Sequence, residues 1–516
     1  MILLLLSVLP ALLWDESPAT APELQKAGIQ HIAVTGDPGR WSTSGIEAVQ
    51  VDAAKLVRAD PPGVDYQAGV AGATAAPWIN SNLWRMIRER DRMFVYDGAS
   101  PLAMAEAYAG GARTYFRVKR ENLEDFAAPY RTLEELDGPP LRDRTNFDLI
   151  DDRSPEIEEI MNLLVRRNLL FEPVTSATAK NRMQVKIGSA DFPKKSADDP
   201  YLFAAMVRSR IGDDNRLARL YGSETTLIRM SGDERHARLH ILQYGQNPAH
   251  GLRVRVLGRY PRVYLSEFGQ KFVLAQDIAV EERTTEFSIA ELKNFATVDL
   301  EASEPGVLHS SRSAAESPLT ADPESAFWRS APRVSAPQDL FAQPTGLGAT
   351  EIRSRWTRDS LYLLYTCPFE RLHLKPDPVT DRDTPLLWDW DVAEAFIGIQ
   401  GSQVDHYREF EMSPQGEWVD LDIDLEQPKA DYGMSWNSGF SVKARIDREH
   451  KVWYGEMRIP MSSLPAAAPK AGDVFRLGLY RIAGPPPDRK FGSWQPIHRR
   501  SYHTPESFGT LVLDAK

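Results

Sequence analysis

Hydrophobic and polar residues alternate with a period of two over much of the second half of the chain. In one such run Leu252, Val254 and Val256 alternate with Arg253 and Arg255, as in a strand with one buried face. Runs of this kind between residues 216 and 300 are separated by turn residues, which predicts a small antiparallel β-sandwich. About eight further runs recur at regular spacing up to residue 516, which predicts a second β-sandwich over residues 319–516.

The first part of the chain shows a different pattern, in which helical and strand-like segments alternate. Residues 156–168 have acids in the first turn and arginines in the last, an arrangement that suits the helix dipole, and Ser154 precedes them as a cap. A strand-like run follows directly. This alternation predicts an α/β domain over residues 22–215, with a degenerate barrel and a flavodoxin-like sheet as the two candidate forms. The expected fold class is therefore a multidomain chain of one α/β layer and two β-sandwiches.

Two segments at the edges of these regions have compositions of their own. Residues 1–14 are almost entirely apolar but too short to span a bilayer, and Ala19, Thr20 and Ala21 resemble a cleavage site, so residues 1–21 are predicted to be a signal peptide. The absence of Lys and Arg before the apolar run leaves an N-terminal hydrophobic strand, or an incorrectly chosen start codon, as the alternative. Residues 301–318 are rich in Ser, Ala, Glu and Pro and predict a linker.

Composition narrows the classes of function. A chain of 516 residues is long enough for two to four domains, and its net charge of −11 argues against a nucleic-acid partner. Cys367 is the only cysteine, so no intramolecular disulfide can form, and its strand-like surroundings predict a buried side chain. No run after the N-terminus is long enough for a transmembrane helix. A signal peptide would make the protein secreted or periplasmic.

The segment 385–400 carries the most distinctive chemistry. Trp388 and Trp390 stand among Asp389, Asp391 and Glu394, and an apolar strand-like run follows. Exposed indoles beside carboxylates suit a sugar, which has apolar C–H faces and hydroxyl edges. Two further tryptophans, Trp436 and Trp494, also lie in polar, turn-rich sequence, whereas others in this region lie in or beside strands and are expected in the core. Two indoles that face each other would hold a pyranose ring between them.

Three motifs in this order resemble carbohydrate-binding module family 9. They are W-x-x-D-x-x-E-x-F-I from Trp388, Y-x-E-F-E-x-S-P-x-G from Tyr407 and, after Trp494, H-x-P-x-x-F-G-x-L from His503. The resemblance covers residues 319–516. It implies a β-sandwich that clamps a sugar between two tryptophans with help from polar side chains. Carried over to this chain, the resemblance and the surrounding sequence make these residues the ligand-binding candidates: Trp388, Trp494, Glu394, Trp390, Arg408 and Glu409.

A row of acids near the end of this region has two interpretations. Asp420, Asp422 and Asp424 lie two residues apart and therefore share one face of a predicted strand. Three like charges in a row repel one another, so either water solvates them or a cation joins them. Structural calcium, with its preference for oxygen ligands, would fit the second interpretation. No other cofactor is assigned at this point.

The sequence thus predicts a secreted carbohydrate-binding protein whose partner is a polysaccharide or an oligosaccharide. The alternative is a glycoside hydrolase that uses the sandwich as a targeting module, which needs a pair of carboxylates in the α/β region. The acids available there are Asp97, Glu106, Asp148, Asp151, Asp152 and Glu172, and none stands in a diagnostic motif. No catalytic residue is assigned. A third interpretation keeps the sandwich but gives it haem, with axial ligands drawn from Met412, Met434, Met457 and His503.

Overall fold

The structure is a computed structural model that describes residues 9–65, 78–176, 182–270, 272–398, 404–464 and 469–516. The chain divides into two compact units, Met1–Glu304 and Pro305–Lys516. It is mostly β, with several sheets and few helices. Among the residues that the structure describes, none of the helices has the length and hydrophobicity that crossing a lipid bilayer requires.

The first unit holds all the α-helices of the described residues. They are α1 (Ala21–Lys26), α2 (Leu83–Arg88), α3 (Pro101–Gly110), α4 (Leu123–Leu136), α5 (Pro155–Arg166) and α6 (Pro200–Ile211). Its strands are β1 (Ala11–Leu13), β2 (His31–Val34), β3 (Glu47–Gln50), β4 (Leu56–Arg58), β5 (Gly63–Asp65), β6 (Trp78–Asn80), β7 (Met93–Asp97), β8 (Arg113–Arg117), β9 (Phe147–Ile150), β10 (Phe171–Val174), β11 (Gln184–Val185), β12 (Ala218–Tyr221), β13 (Thr226–Gly232), β14 (His236–Gln243), β15 (Ala249–Leu257), β16 (Arg262–Glu267), β17 (Val273–Leu274), β18 (Gln276–Val280), β19 (Thr284–Leu292) and β20 (Phe295–Glu301).

A parallel sheet in the order β3-β2-β1-β8-β7-β4 begins the first unit, and its strand β1 lies within the predicted signal peptide. Strand β1 lies in the middle of this sheet, where Leu12 pairs with Ile32 on one side and Phe116 on the other. Leu12 and Leu13 are fully buried. Cleavage after Ala21 would remove this strand, so the alternative of an N-terminal hydrophobic strand describes residues 11–13. A buried parallel strand and a signal-peptide core need the same short apolar run, and hydrophobicity alone does not separate them. Residues 1–8 lie outside the described residues.

The described α/β region forms neither a closed barrel nor a flavodoxin-like sheet, and the degenerate barrel stays a prediction. Strands β10, β9 and β11 make a second parallel sheet, and no ladder of the described residues joins it to the first. A barrel would need one closed sheet. The order β3-β2-β1-β8-β7-β4 also differs from the flavodoxin-like order, in which the first strand lies between the second and the third at one side of the sheet.

Residues 218–301 form two antiparallel sheets, in the orders β12-β15-β19-β18 and β13-β14-β20-β16-β17. The alternation seen in the sequence places Val254 and Val256 in a core with Leu239 and Phe287, all fully buried. These sheets belong to the same compact unit as the helices and parallel strands before them. The domain boundary expected near residue 215 is therefore not a boundary between compact units.

The second unit consists of strands joined by turns and short 3₁₀-helices. Its strands are β21 (Val307–Arg312), β22 (Arg333–Ala336), β23 (Thr350–Trp356), β24 (Ser360–Pro368), β25 (Val392–Gly398), β26 (His406–Met412), β27 (Trp418–Asp424), β28 (Ser441–Asp447), β29 (Val452–Pro460), β30 (Val474–Ala483), β31 (Lys490–Ser493) and β32 (Gly509–Leu513).

These strands pair in the order β27-β26-β25-β30-β32-β21-β23-β24-β29-β28, with β22 on β23 and β31 on β30. One continuous hydrophobic core joins the two ends of this order and includes Leu363, Ala395 and Trp453. Strand β21 pairs in parallel with both β32 and β23 and so links the two halves of the sandwich. The linker prediction is wrong for this segment, because Leu308 and Ser310 are fully buried within the sheet. A strand with one large inward side chain leaves little hydrophobic signal in the sequence.

Candidate functional site

A cavity of about 460 Å³ lies on the face of strands β25, β26 and β27 that is turned away from the main core of the second unit. In β25 the residues Ala393, Ala395 and Ile397 enter that core, so the alternate residues Glu394 and Phe396 line the cavity. A cavity of this volume is in the range that holds one small organic molecule.

Three glutamates make the polar part of the cavity floor. Glu394 in β25 lies directly opposite Glu411 in β26, and Phe396 lies opposite Glu409. Glu409 and Glu411 are two residues apart and therefore share a face. The three side chains are between 0% and 3% exposed, although they line the cavity. The register of the two strands alone brings three carboxyl groups together.

Aromatic rings and a loop form the walls. Trp388 comes from the 3₁₀-turn Leu387–Asp389 just before β25, and Tyr432 meets its ring edge-on at 5.9 Å. On another side Tyr502 and His503 line the cavity, where the imidazole stacks on Phe396 at 5.5 Å between ring centres. The cavity thus offers one polar surface of carboxyls and several apolar ring surfaces.

Burial and mutual repulsion raise the pKa of the floor carboxyls. Burial raises the pKa of Glu411 well above its ordinary value, and the charges of Glu394 and Glu409 raise it further. Burial also raises the pKa of Glu394 well above its ordinary value, again with help from Glu409 and against the opposing charge of Arg489. Burial raises the pKa of Glu409 as well.

Few hydrogen-bond donors of the protein reach these carboxyls. Glu394 Oε2, Glu409 Oε2 and both carboxyl oxygens of Glu411 are buried and accept no hydrogen bond within the described residues. Buried polar atoms in folded proteins are almost always paired, and an unpaired one costs about 1–3 kcal/mol. Each unpaired buried atom calls for a physical explanation, and a bound ligand that donates to it is one. The cavity floor is therefore the strongest candidate site in the described part of the second unit.

The structure brings together three of the predicted ligand-binding residues. Trp388, Glu394 and Glu409 all line the cavity. Their role in binding remains a prediction. The short distance in sequence between the motifs that contain them matches the direct pairing of β25 with β26.

The position of Trp494 shows that the predicted clamp of two tryptophans is wrong. Its ring is 6% exposed and belongs to the main core of the second unit, on the opposite face of the sheet from the cavity. It packs so closely on Gly306 and Gly509 that a side chain at either glycine would come within 2.7 Å of the indole. Trp494 therefore cannot face Trp388 across a ligand. Turn-rich sequence around it indicated an exposed loop, whereas the loop folds back over the core.

Trp390 and Arg408 also lie outside the cavity lining. Trp390 stacks on His373, with 4.5 Å between the ring centres. Arg408 points to the other face of β26, where it forms an ion pair with Asp422 and lies 4.4 Å from the centre of the Trp436 ring. Strand alternation would have separated Arg408 from Glu409, because neighbouring residues in a strand point to opposite faces.

The three aspartates of β27 have separate partners. Asp420 is fully buried and accepts a hydrogen bond from the Ser438 amide at 2.6 Å. Asp422 pairs with His406, Arg408 and Lys429. Asp424 accepts two backbone N–H groups of the turn that follows it. No group of three or more His, Cys, Asp or Glu side chains in the described ranges is arranged to hold a metal ion. The row is not fully solvated, since Asp420 is buried, and structural calcium stays a prediction.

The acids considered for a glycosidase are held by structural partners. Ion pairs join Asp97 to Arg117, Asp148 to Arg182, Asp151 to Arg88 and Glu172 to Arg90. Glu106 accepts hydrogen bonds from Ser81, Asn82, Tyr96 and Tyr244, and Asp152 accepts one from the Ser154 amide. These contacts account for each carboxylate without a substrate. Of the methionines considered for haem, Met412 and Met457 are fully buried in the main core, whereas Met434 is partly buried beside Leu387.

Sequence reasoning did not identify Glu411, Tyr432 or Tyr502 as site residues. Glu411 was within reach, because it stands two residues after Glu409 in a predicted strand and must share its face. Tyr432 and Tyr502 come from loops, and no local pattern connects them to Trp388. His503 was named only as part of a motif and as a haem ligand, yet it lines the cavity and shares a 2.5 Å hydrogen bond with the Tyr407 hydroxyl.

The fold and the site define a β-rich protein whose second unit is a β-sandwich with an acidic, aromatic-lined cavity. No family model matches the chain. In sequence it is 25% identical over 148 residues to the UPF0462 protein C4orf33 homolog of Rattus norvegicus, covering 27% of this chain and 69% of the relative. It is 23% identical over 179 residues to a protein named "Extracellular protein" from Arthroderma benhamiae, covering 32% of this chain and 78% of the relative.

Solved carbohydrate-binding modules of family 9 are among the structures to which the chain is similar. A module of this family from Caldicellulosiruptor kristjanssonii in complex with cellotriose matches 41% of this chain and 95% of its own, with 13% identity and a TM-score of 0.29. A module of this family from the same organism in complex with glucose matches 41% of this chain and 97% of its own, with 13% identity and a TM-score of 0.29. An α-L-fucosidase from Paenibacillus thiaminolyticus matches 44% of this chain and 63% of its own, with 10% identity and a TM-score of 0.34.

Proposed function

We propose that the second unit binds a saccharide in the cavity beside Trp388. The observation that carries this proposal is the combination of a partly exposed indole with buried carboxyls that have oxygens without donors in one cavity of about 460 Å³. A sugar ring has C–H faces that pack on aromatic rings and hydroxyl groups that donate hydrogen bonds. Each hydroxyl that donates to Glu394 or Glu409 satisfies an oxygen that the protein leaves unpaired.

The aromatic partners differ from the expected pair of tryptophans. Trp388 supplies one indole face, and Phe396, Tyr432 and Tyr502 also contribute rings to the cavity lining. Tyr432 is 61% exposed, so closing of its loop over a ligand would bury apolar surface. One sugar unit offers few atoms for contact, so the affinity expected is roughly micromolar to millimolar.

The protein as a whole is proposed to act outside the cell on polysaccharides or their breakdown products. The name of one distant relative describes that relative as extracellular, and extracellular polysaccharides are the common source of such ligands. A glycoside hydrolase has less support, because the carboxylates of the α/β region are paired with arginines or held by hydrogen bonds. The proposal therefore assigns binding, without hydrolysis, to the second unit.

Calorimetric titration of the full chain with glucose, cellotriose and xylotriose tests the proposal. Trp388→Ala should weaken binding of the best ligand about tenfold, because an aromatic contact worth about 1.5 kcal/mol is lost. Trp390→Ala is the matched control: it removes an indole from the same loop, but that indole stacks on His373 outside the cavity lining. Circular dichroism of both variants checks that the fold is retained.

Equal affinity in the wild type and the Trp388→Ala variant would contradict the site. A larger loss of saccharide affinity in Trp390→Ala than in Trp388→Ala would also contradict the site, since that result would place the ligand on the other side of the loop.

A further inference from the structure

We infer that the saccharide bound in this cavity carries a positively charged amino group, as in glucosamine or its oligomers. The inference rests on the proposed function and adds the charge of the ligand to it. Three carboxyl groups, Glu394, Glu409 and Glu411, line the cavity with four buried oxygens that accept no hydrogen bond in the described residues.

Three carboxyls are more than a neutral sugar site needs. Like charges directly opposite each other in neighbouring strands destabilise a sheet, and Glu394 faces Glu411 in this way. Glutamine at one of these positions would accept the same hydroxyl hydrogen bonds without the repulsion or the cost of burying a charge. A cationic group among the three carboxyls turns this arrangement from a cost into an attraction, which is strong in a cavity of low dielectric constant.

The cations of the protein near the cavity are engaged elsewhere. The ammonium group of Lys429, at the edge of the cavity, lies 2.6 Å from Asp422. The guanidinium group of Arg489 donates to the backbone oxygens of Trp388 and Trp390. The side chain of Arg408 pairs with the same Asp422 on the far face of the sheet. The charge of Arg489 still reaches Glu394, and His503 lies beside Glu409. The principal charges that act on Glu411 are all acidic, so a positive charge at this carboxyl is the ligand's to supply.

The rest of the cavity favours an amine on a sugar over a bare amine or a metal ion. The faces of Trp388 and Tyr502 suit the C–H surface of a ring, and aromatic faces also attract a cation. A metal ion would leave these apolar walls without a partner. Glucosamine is the smallest probe that joins an ammonium group to a pyranose ring.

Calorimetric titration of the full chain at pH 7 with D-glucosamine, D-glucose and N-acetyl-D-glucosamine tests the charge directly. The three sugars share one ring, and the acetyl group keeps the nitrogen while removing its charge. Glucosamine should bind at least tenfold more tightly than either neutral sugar. Glu411→Gln should reduce that preference severalfold. Glu449→Gln removes one charge from an exposed turn away from the cavity and should leave the preference unchanged.

The outcomes separate this inference from the proposed function. Glucose binding as tight as glucosamine binding, weakened by Trp388→Ala, overturns the inference and keeps saccharide binding. Weak binding of all three sugars that is insensitive to Trp388→Ala overturns both. A preference for glucosamine that is unchanged in both the Glu411→Gln and the Glu409→Gln variants overturns the inference, because groups other than these carboxyls would then bind the ammonium group.

Discussion

Replacing Glu411 with glutamine tests the electrostatics of the cavity without a ligand. The Glu411 carboxyl is fully buried, its two oxygens accept no hydrogen bond in the described residues, and it faces Glu394 across the strand pair. Glutamine has nearly the same shape and carries no charge. The Glu411→Gln substitution therefore removes a group that must either keep a proton or be buried as a charge, while it keeps the packing of the floor.

The expected effect depends on pH. Above the ordinary glutamate pKa of about 4.3, the unfolded chain releases this proton, whereas the folded protein keeps it because burial and the neighbouring glutamates raise the pKa of Glu411. The folded state then binds more protons than the unfolded state, so the free energy of unfolding falls as the pH rises. The slope reaches about 1.4 kcal/mol per pH unit for one carboxyl. The variant lacks this contribution, so its free energy of unfolding should exceed that of the wild type by about 1–3 kcal/mol at pH 7 and by little at pH 4.

Urea unfolding at a series of pH values measures the difference. Eight of the twelve tryptophans lie in the second unit, and hydrogen exchange of the β25 and β26 amides assigns the transition to that unit. Glu394 and Glu409 titrate together with Glu411, so the variant should lose part of the pH dependence of the cluster and keep the rest. Glu449→Gln provides the control for a change of one charge.

Parallel pH profiles for the wild type and the Glu411→Gln variant would refute this reasoning. So would a variant that is less stable at pH 7 than the wild type, since that result would mean that the carboxylate has a stabilising partner.

Two further substitutions probe other parts of the second unit. Burial and the neighbouring Asp420 raise the pKa of Asp383 to about 6, so the free energy of unfolding of the wild type should rise as the pH falls from 7 to 5. Asp383→Asn should flatten that rise, which urea unfolding at several pH values measures. Identical pH profiles for the wild type and the variant would contradict this prediction. Trp494→Ala should cost about 3–5 kcal/mol of unfolding free energy, because the ring fills the core, and should leave saccharide affinity at the Trp388 cavity unchanged by calorimetry. A stable Trp494 variant that no longer binds would restore the two-tryptophan clamp.

Part of the fold could be predicted from the sequence because it depends on the local alternation of apolar and polar residues. The alternating runs around Val254 and around Ala395 predict which residues lie on the same face of each strand. The structure places the inward residues of each run together in a hydrophobic core. Segment 11–13 was harder, because a short apolar run suits a buried strand and a signal peptide equally. The strand Val307–Arg312 was missed, since its neighbours β32 and β23 are distant in sequence and supply most of its burial.

The sequence by itself determined that Glu394 and Phe396 share a face, that Glu409 and Glu411 share a face, and that Trp388 lies one turn before them. It did not determine which face meets the core, because all seven residues of β25 are buried and both faces of the strand have the same low exposure. Only the tertiary structure decided that Trp494 enters the core while Tyr432 and Tyr502 reach the cavity. Loop positions follow from the packing of whole strands against one another, which no local pattern encodes.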